Sequence, residues 1–202
     1  MKYQNDIDKM NTNRNLFLMS LPIFVELLLQ LLVGNVDQMM VSRVSQPSVA
    51  AIVNANQIMN LVIIVLSMAS TAVTVILSQY LGAQDEKNAS RTCMVSIVLI
   101  GSVSLAATIL VFAGHTPLYR AIHVPEEVFD EASLYLLIVG AFILVQGLYL
   151  TFSAMIRAFA MVKEVMIISV IMNAMNIVGN AILINGWFGM PQLGAVGAAI
   201  ST

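Results

Sequence analysis

Residues 16–40 read LFLMSLPIFVELLLQLLVGNVDQMM, an apolar run with two acids, Glu26 and Asp37, inside it. As a helix the run is long enough to cross the ~30 Å hydrocarbon core of a bilayer. An ionised acid at the centre of such a span costs about 2.5–3.5 kcal/mol on insertion scales, so an acid kept there faces protein or a watery cavity and marks function. Glu26 and Asp37 are separated by about three turns plus 20°, so both project from one face, and Gln30 joins that stripe one turn from Glu26. The helix has a wet side and a lipid side. Pro22, in its first third, withholds an amide donor and crowds the carbonyl of Leu18, which predicts a bend.

Composition extends the membrane reading to the whole chain. Of 202 residues 59% are hydrophobic and 10% charged, with a mean hydropathy of +0.88; soluble domains have about 45–50% and 25%. The chain is read as an integral membrane protein whose first partner is the lipid bilayer. A single cysteine, Cys93, excludes an internal disulfide, and two histidines make no cluster with metal-ligand spacing. No cofactor is expected, and no nucleic acid.

Residues 1–15 are polar, lack the cleavage pattern of a signal peptide and read as a cytoplasmic N-terminal segment. Residues 16–202 then read as one bundle, with spans at about 16–40, 48–81, 93–113, 132–156 and 165–184 and an incomplete one at 193–202. Gly82 to Asp85 end the second span, with Gly82 suited to a left-handed cap. The third carries Gly101, Ser102, Ser104, Ala106 and Ala107, small residues through which membrane helices approach one another. Residues 115–131 read as a polar loop. Ten residues cannot cross a bilayer as a helix. The expected fold is an all-α polytopic membrane protein of five complete transmembrane helices plus the start of a sixth, a piece of something longer.

Basic residues orient the spans. Lys2, Lys9, Arg14, Lys87, Arg91, Arg157 and Lys163 fall on one side and only Arg43 and Arg120 on the other, which places the amino terminus in the cytoplasm. Asp37, Asn176 and Asn180 then lie in the outer half of the membrane, at the depth of Asn54, Asn56, Gln57 and Asn60 on span two, Tyr135 on span four and Thr202 on span six. Asn173, Asn176 and Asn180 share one helical face. Carboxamides and one carboxylate meeting in an outward-half cavity suit a proton or a small cation: amide oxygens coordinate, the acid neutralises. Glu26 lies nearer the middle, with Gln146 or Tyr149 of span four as its expected partner. The 14 methionines read as packing and lipid-facing residues.

Several segments, in order, carry a family resemblance: Leu21 and Pro22, VGNVDQMMV at 33–41, AAIVNANQIMN at 50–60, SQYLGA at 78–83, IRA at 156–158, NIVGN at 176–180 and GAVGAAIST at 194–202. Together they resemble the amino-terminal lobe of MATE (multidrug and toxic compound extrusion) transporters of the NorM and DinF type. The resemblance implies twelve helices in two six-helix lobes working by alternating access, of which this chain supplies most of one; the missing C-terminal lobe would be its partner. It implies a coupling role for Asp37, a bend at Pro22, and coordinating roles for Asn176, Asn180 and Thr202, a sodium site if the coupling ion is not a proton. Where DinF-like members carry aspartate, this chain has Asn180, which leaves Asp37 as the acid of the outer site. Glu26, Gln30, Gln57, Asn60, Tyr135 and Asn173 are the expected cavity lining.

The implied function is secondary antiport: an organic, often cationic, small molecule leaves while H+ or Na+ enters, across a bacterial plasma membrane. A flippase of the same superfamily, moving a lipid-linked oligosaccharide, would call for a more basic cavity; a non-transporting scaffold or inactive fragment is the other class. An enzyme is not expected, because the spans hold no nucleophile, dyad or metal pair.

Overall fold

The computed structural model describes residues 17, 20–29, 31–32, 39, 46–121, 126–184 and 193–201. Those residues form helices and no strand: α1 (Ser20–Leu29), α2 (Gln46–Gly82), α3 (Glu86–Ala121), α4 (Glu126–Ala141), α5 (Ile143–Ala158), α6 (Val162–Leu183) and α7 (Gly194–Ser201). Among the described residues α2, α3 and α6 are each long and apolar enough to cross a membrane. Residues Ala132–Ala141 of α4 and the whole of α5 are together long and apolar enough for a fourth crossing, with a 45° bend between them.

That bend interrupts the span expected as continuous over 132–156. At the break Phe142 (φ −95°, ψ 2°) donates its amide to the Val139 carbonyl, a tighter i−3 turn. Gly140 lets α4 turn there against α3: a Cβ on it would stand 2.7 Å from Val111 Cγ1. Further on, Gly147 of α5 lies so close to Ser104 of α3 that no Cβ fits between them. Of the small residues on α3, Ser104 is therefore one through which a neighbour approaches, whereas Gly101 has open space beside it.

α2 is the hub, packed against α3, α4 and α5, and α7 rests on α4 and α6. Leu66, Leu77, Ile100, Leu136 and Ile143 fill the interior. The outside is equally apolar: Leu61, Met68, Val98, Leu110 and Met175 are 68–70% exposed. In water such a surface would drive association, whereas in lipid it is matched to its solvent. The third span runs beyond the expected 113, through Pro117 to Ala121, so His115 lies on a helix and not in a loop. Tyr119 holds that last turn, donating its hydroxyl to the Ala132 carbonyl at 2.8 Å and meeting Phe129 edge-on.

The α2–α3 and α5–α6 turns have the same build. Gln84 (φ 57°) and Ala160 (φ 61°) occupy the left-handed position, and the following amides, Asp85 and Met161, reach back to the carbonyls of Tyr80 and Ile156. The left-handed residue after α2 is thus Gln84, not Gly82, which remains helical. Asp85 then caps α3: its Oδ1 accepts the Asn88 amide at 3.0 Å and its Oδ2 the Asn88 side chain at 2.6 Å. Thr74 of α2 donates to the Ala154 carbonyl of α5 at 3.2 Å, so both turns sit at one end of the bundle. That end carries Lys87, Arg91, Arg157 and Lys163; Arg120 lies at the other.

Candidate functional site: an apolar cavity between two polar clusters

A cavity of about 360 Å³ opens between α2, the α4–α5 break, α6 and α7. Met59 and Leu66 of α2, Phe142 and Ile143 at the break, Met172 of α6 and Ile200 of α7 make it largely apolar, with Gln146, Tyr149 and Ser201 as its polar points. No charged side chain lines it among the described residues. Phe142 and two methionines give it walls that can adapt to different organic shapes.

Ser201 joins the cavity to a carboxamide cluster. Asn180, fully buried on α6, accepts the Ser201 hydroxyl on its Oδ1 and donates from Nδ2 to Asn176 Oδ1 at 3.2 Å. Asn176 in turn donates to the Ser201 carbonyl at 3.2 Å. The two asparagines lie one turn apart, so both reach α7 from one face. Two glycines permit the approach: a Cβ at Gly179 would stand 2.9 Å from Ser201 Cβ, and one at Gly197 would stand 2.7 Å from the Leu183 carbonyl oxygen. Two carboxamide oxygens are thereby held by donors, Asn176 Oδ1 by Asn180 and Asn180 Oδ1 by Ser201.

Tyr149 joins the cavity to a second cluster. Its hydroxyl lies 2.9 Å from Ser169 Oγ on α6, Ser169 donates to Glu26 Oε1 at 3.0 Å, and Arg157 Nη2 meets the same oxygen at 2.7 Å. Glu26 is 4% exposed. The expected partners, Gln146 and Tyr149, are replaced by Arg157 and Ser169, with Tyr149 one hydrogen bond further away. The reason is reach: Arg157 closes α5 at the basic end, and its long side chain turns back to the buried acid.

Of the other residues singled out in the sequence, Tyr135 is buried and donates to Asn56 Oδ1 at 3.4 Å, tying α4 to α2. Asn173 is half-buried, while Gln57 and Asn60 are exposed and stand outside the cavity wall. Pro22 is buried within α1. Asp37, Gln30 and Thr202 lie outside the described residues. Ser201, Ser169 and Arg157 were not singled out as site residues. A serine in an apolar run is a weak signal, and the charge of Arg157 at the end of a span reads as water-facing.

The MatE family profile matches residues 22–182. YisQ of Bacillus subtilis, an uncharacterised transporter, is 39% identical over a stretch covering 93% of this chain and 41% of its own length. A probable multidrug resistance protein NorM of Chromobacterium violaceum is 29% identical, covering 91% of this chain and 40% of its own. The solved structure of a multidrug resistance MATE family transporter of the MOP superfamily, in its outward-facing conformation, superposes with a TM-score of 0.83 at 22% identity, over 91% of this chain and 40% of that one. The chain spans about two fifths of the length of these relatives. It belongs to the MatE family and matches the amino-terminal lobe of a MATE transporter.

Proposed function

We propose that this chain is one lobe of a secondary antiporter that exports organic, often cationic, compounds while protons or sodium ions enter. In this reading it contributes five spans and the start of a sixth to a twelve-helix protein of a bacterial plasma membrane, with its amino terminus in the cytoplasm. The observation that carries the reading is the uncharged, largely apolar cavity whose edge residue, Ser201, also anchors the buried Asn176–Asn180 pair. An organic cation entering such walls is desolvated, and the countercharge of a single acid together with burial of its apolar groups offsets that cost. Asp37 is that acid: charged while it holds a cation, neutral when protonated, so that ion and substrate compete for it. Asn176, Asn180 and Thr202 are, in this reading, the neutral oxygen donors to the same ion. The relatives' multidrug names point the same way, and a cavity without a basic side chain among the described residues disfavours a lipid-linked oligosaccharide.

The test is cationic-dye efflux by the complete gene product in proteoliposomes under an imposed proton or sodium gradient, with Asp37→Asn beside it. One gradient is expected to drive efflux, and the variant, which lacks the countercharge, to bind the cationic dye more weakly and to lose coupling. Folded protein that moves no dye under either gradient overturns the reading.

A further inference from the structure

We propose that the α2–α3 face at the basic end of the bundle holds one anionic phospholipid, its head group on Arg91 and an acyl chain along a groove between the two helices. The groove has a volume of about 450 Å³, within the ~300–1,000 Å³ range of small-molecule sites. It exists because α2 presents small residues there: Ala69, Ala72 and Val73 follow one another at helical spacing where larger side chains would meet α3.

Its polarity runs along the helix axes. Tyr80 lies in the last turn of α2 and Arg91 five residues into α3, about 8 Å along the axis from the turn, whereas Leu99 lies about 20 Å from it. The charged part is therefore confined to the end of the bundle, and the wall beyond Thr92 is apolar, with Ala72, Ile76, Val95 and Leu99, apart from Ser96. A free anion would leave the apolar part unfilled, and an apolar molecule would leave the guanidinium unmatched. An amphiphile with an anionic head fits both.

The remaining polar wall groups are occupied. Thr92 donates to the Asn88 carbonyl, Ser96 to the Thr92 carbonyl and Asn88 to Asp85. Arg91 is exposed and makes no hydrogen bond or ion pair with any described residue, and the Tyr80 hydroxyl likewise has no partner there. Lys87 lies one turn before Arg91 on the same face. Of the nearby acids, Asp85 is closed onto its cap, and Glu86 points about 140° away from Arg91 around the helix. Arg91 is the one charged side chain in the groove lining among the described residues, and the Asp85 carboxylate is engaged by the Asn88 amides at its edge. Basic pockets between membrane helices are places where anionic head groups settle.

The experiment is native mass spectrometry of the complete gene product in detergent, titrated with phosphatidylglycerol or phosphatidylcholine, alongside Arg91→Gln, Ala72→Trp and Lys163→Gln. Wild type is expected to hold one phosphatidylglycerol about fivefold more tightly than phosphatidylcholine, the factor one basic residue supplies near an anionic surface. Arg91→Gln should abolish that preference, Ala72→Trp should lower retention of both lipids by filling the groove, and Lys163→Gln, at the same end but away from it, should behave as wild type. A preference that survives Arg91→Gln, or displacement of the lipid by inorganic phosphate, overturns the proposal. The readout is lipid retention, so it stands or falls separately from ion-coupled efflux.

Discussion

Glu26 Oε1 and Arg157 Nη2 lie 2.7 Å apart across 131 residues of chain, and this contact pins α1 to the corner where α5 turns into α6. Its two ends differ in environment: the Glu26 side chain is 5% exposed and that of Arg157 32%. Removing the arginine strands a buried carboxylate with Ser169 as its remaining donor among the described residues, while removing both charges leaves no ion to desolvate. Arg157→Ala should therefore destabilise the protein by about 2–3 kcal/mol, below the ~3–5 kcal/mol of a fully buried pair because the guanidinium is partly in water. Glu26→Gln combined with Arg157→Ala should recover most of that loss. A double-mutant cycle on thermal unfolding in detergent reads the coupling; additive single effects would mean that the contact holds nothing together.

The Asn180–Ser201 contact depends on two glycines, and the neighbour each one meets ranks them. At Gly197 an added methyl would press on the Leu183 backbone carbonyl, which cannot rotate away; at Gly179 it would press on the Ser201 side chain. Gly197→Ala should cost more than Gly179→Ala, both within the ~1–3 kcal/mol of an overpacked contact. Gly101→Ala, with open space around it, should be neutral or stabilising by up to about 1 kcal/mol from helix propensity. Unfolding of the three variants side by side checks the order, and dye binding by Gly179→Ala shows whether the carboxamide cluster feels the displacement.

Much of this architecture was legible from hydropathy and a few residues, because lipid imposes long apolar helices and makes every internal polar group conspicuous. The i, i+4 spacing of Asn176 and Asn180 placed them on one face, and the structure brings both to α7. The break at Phe142 was not legible: residues 136–145 around it are uniformly apolar and hold no proline, and the close approach of Gly140 to Val111 is made to another helix. The partner of Glu26 was missed for a related reason. Positive charge at a helix end reads as an aqueous corner, and nothing local says that the side chain folds inward over 131 residues of sequence separation.

Ala160 is left-handed at φ 61° in the turn that carries Arg157 into α6. An L-residue with a Cβ pays roughly 1 kcal/mol for that conformation, and glycine pays none. Ala160→Gly should raise stability by up to about 1 kcal/mol, reduced by the extra freedom glycine has when unfolded. Ala160→Val, β-branched at the same angle, should lower it. Unfolding midpoints for the pair check the sign; if valine matches alanine, the turn does not hold this geometry.

Asp85 sits outside the membrane-spanning helices, where a carboxylate can titrate against water. The Asn88 backbone amide first, and its side-chain amide second, hold the Asp85 carboxyl below its ordinary value of 3.8. A depressed folded value means that the ionised form favours the folded turn. Its contribution is complete above the unfolded value and is lost as pH falls through the lowered folded one. Protection of the Asn88 amide, measured by hydrogen exchange and normalised for intrinsic rate, should stay constant from neutral pH down to about 4 and then fall. Asp85→Asn keeps an acceptor and should remove the acid dependence while retaining much of the protection; Asp85→Ala should lose protection throughout. Acid loss that persists unchanged in Asp85→Asn would place the titrating group elsewhere.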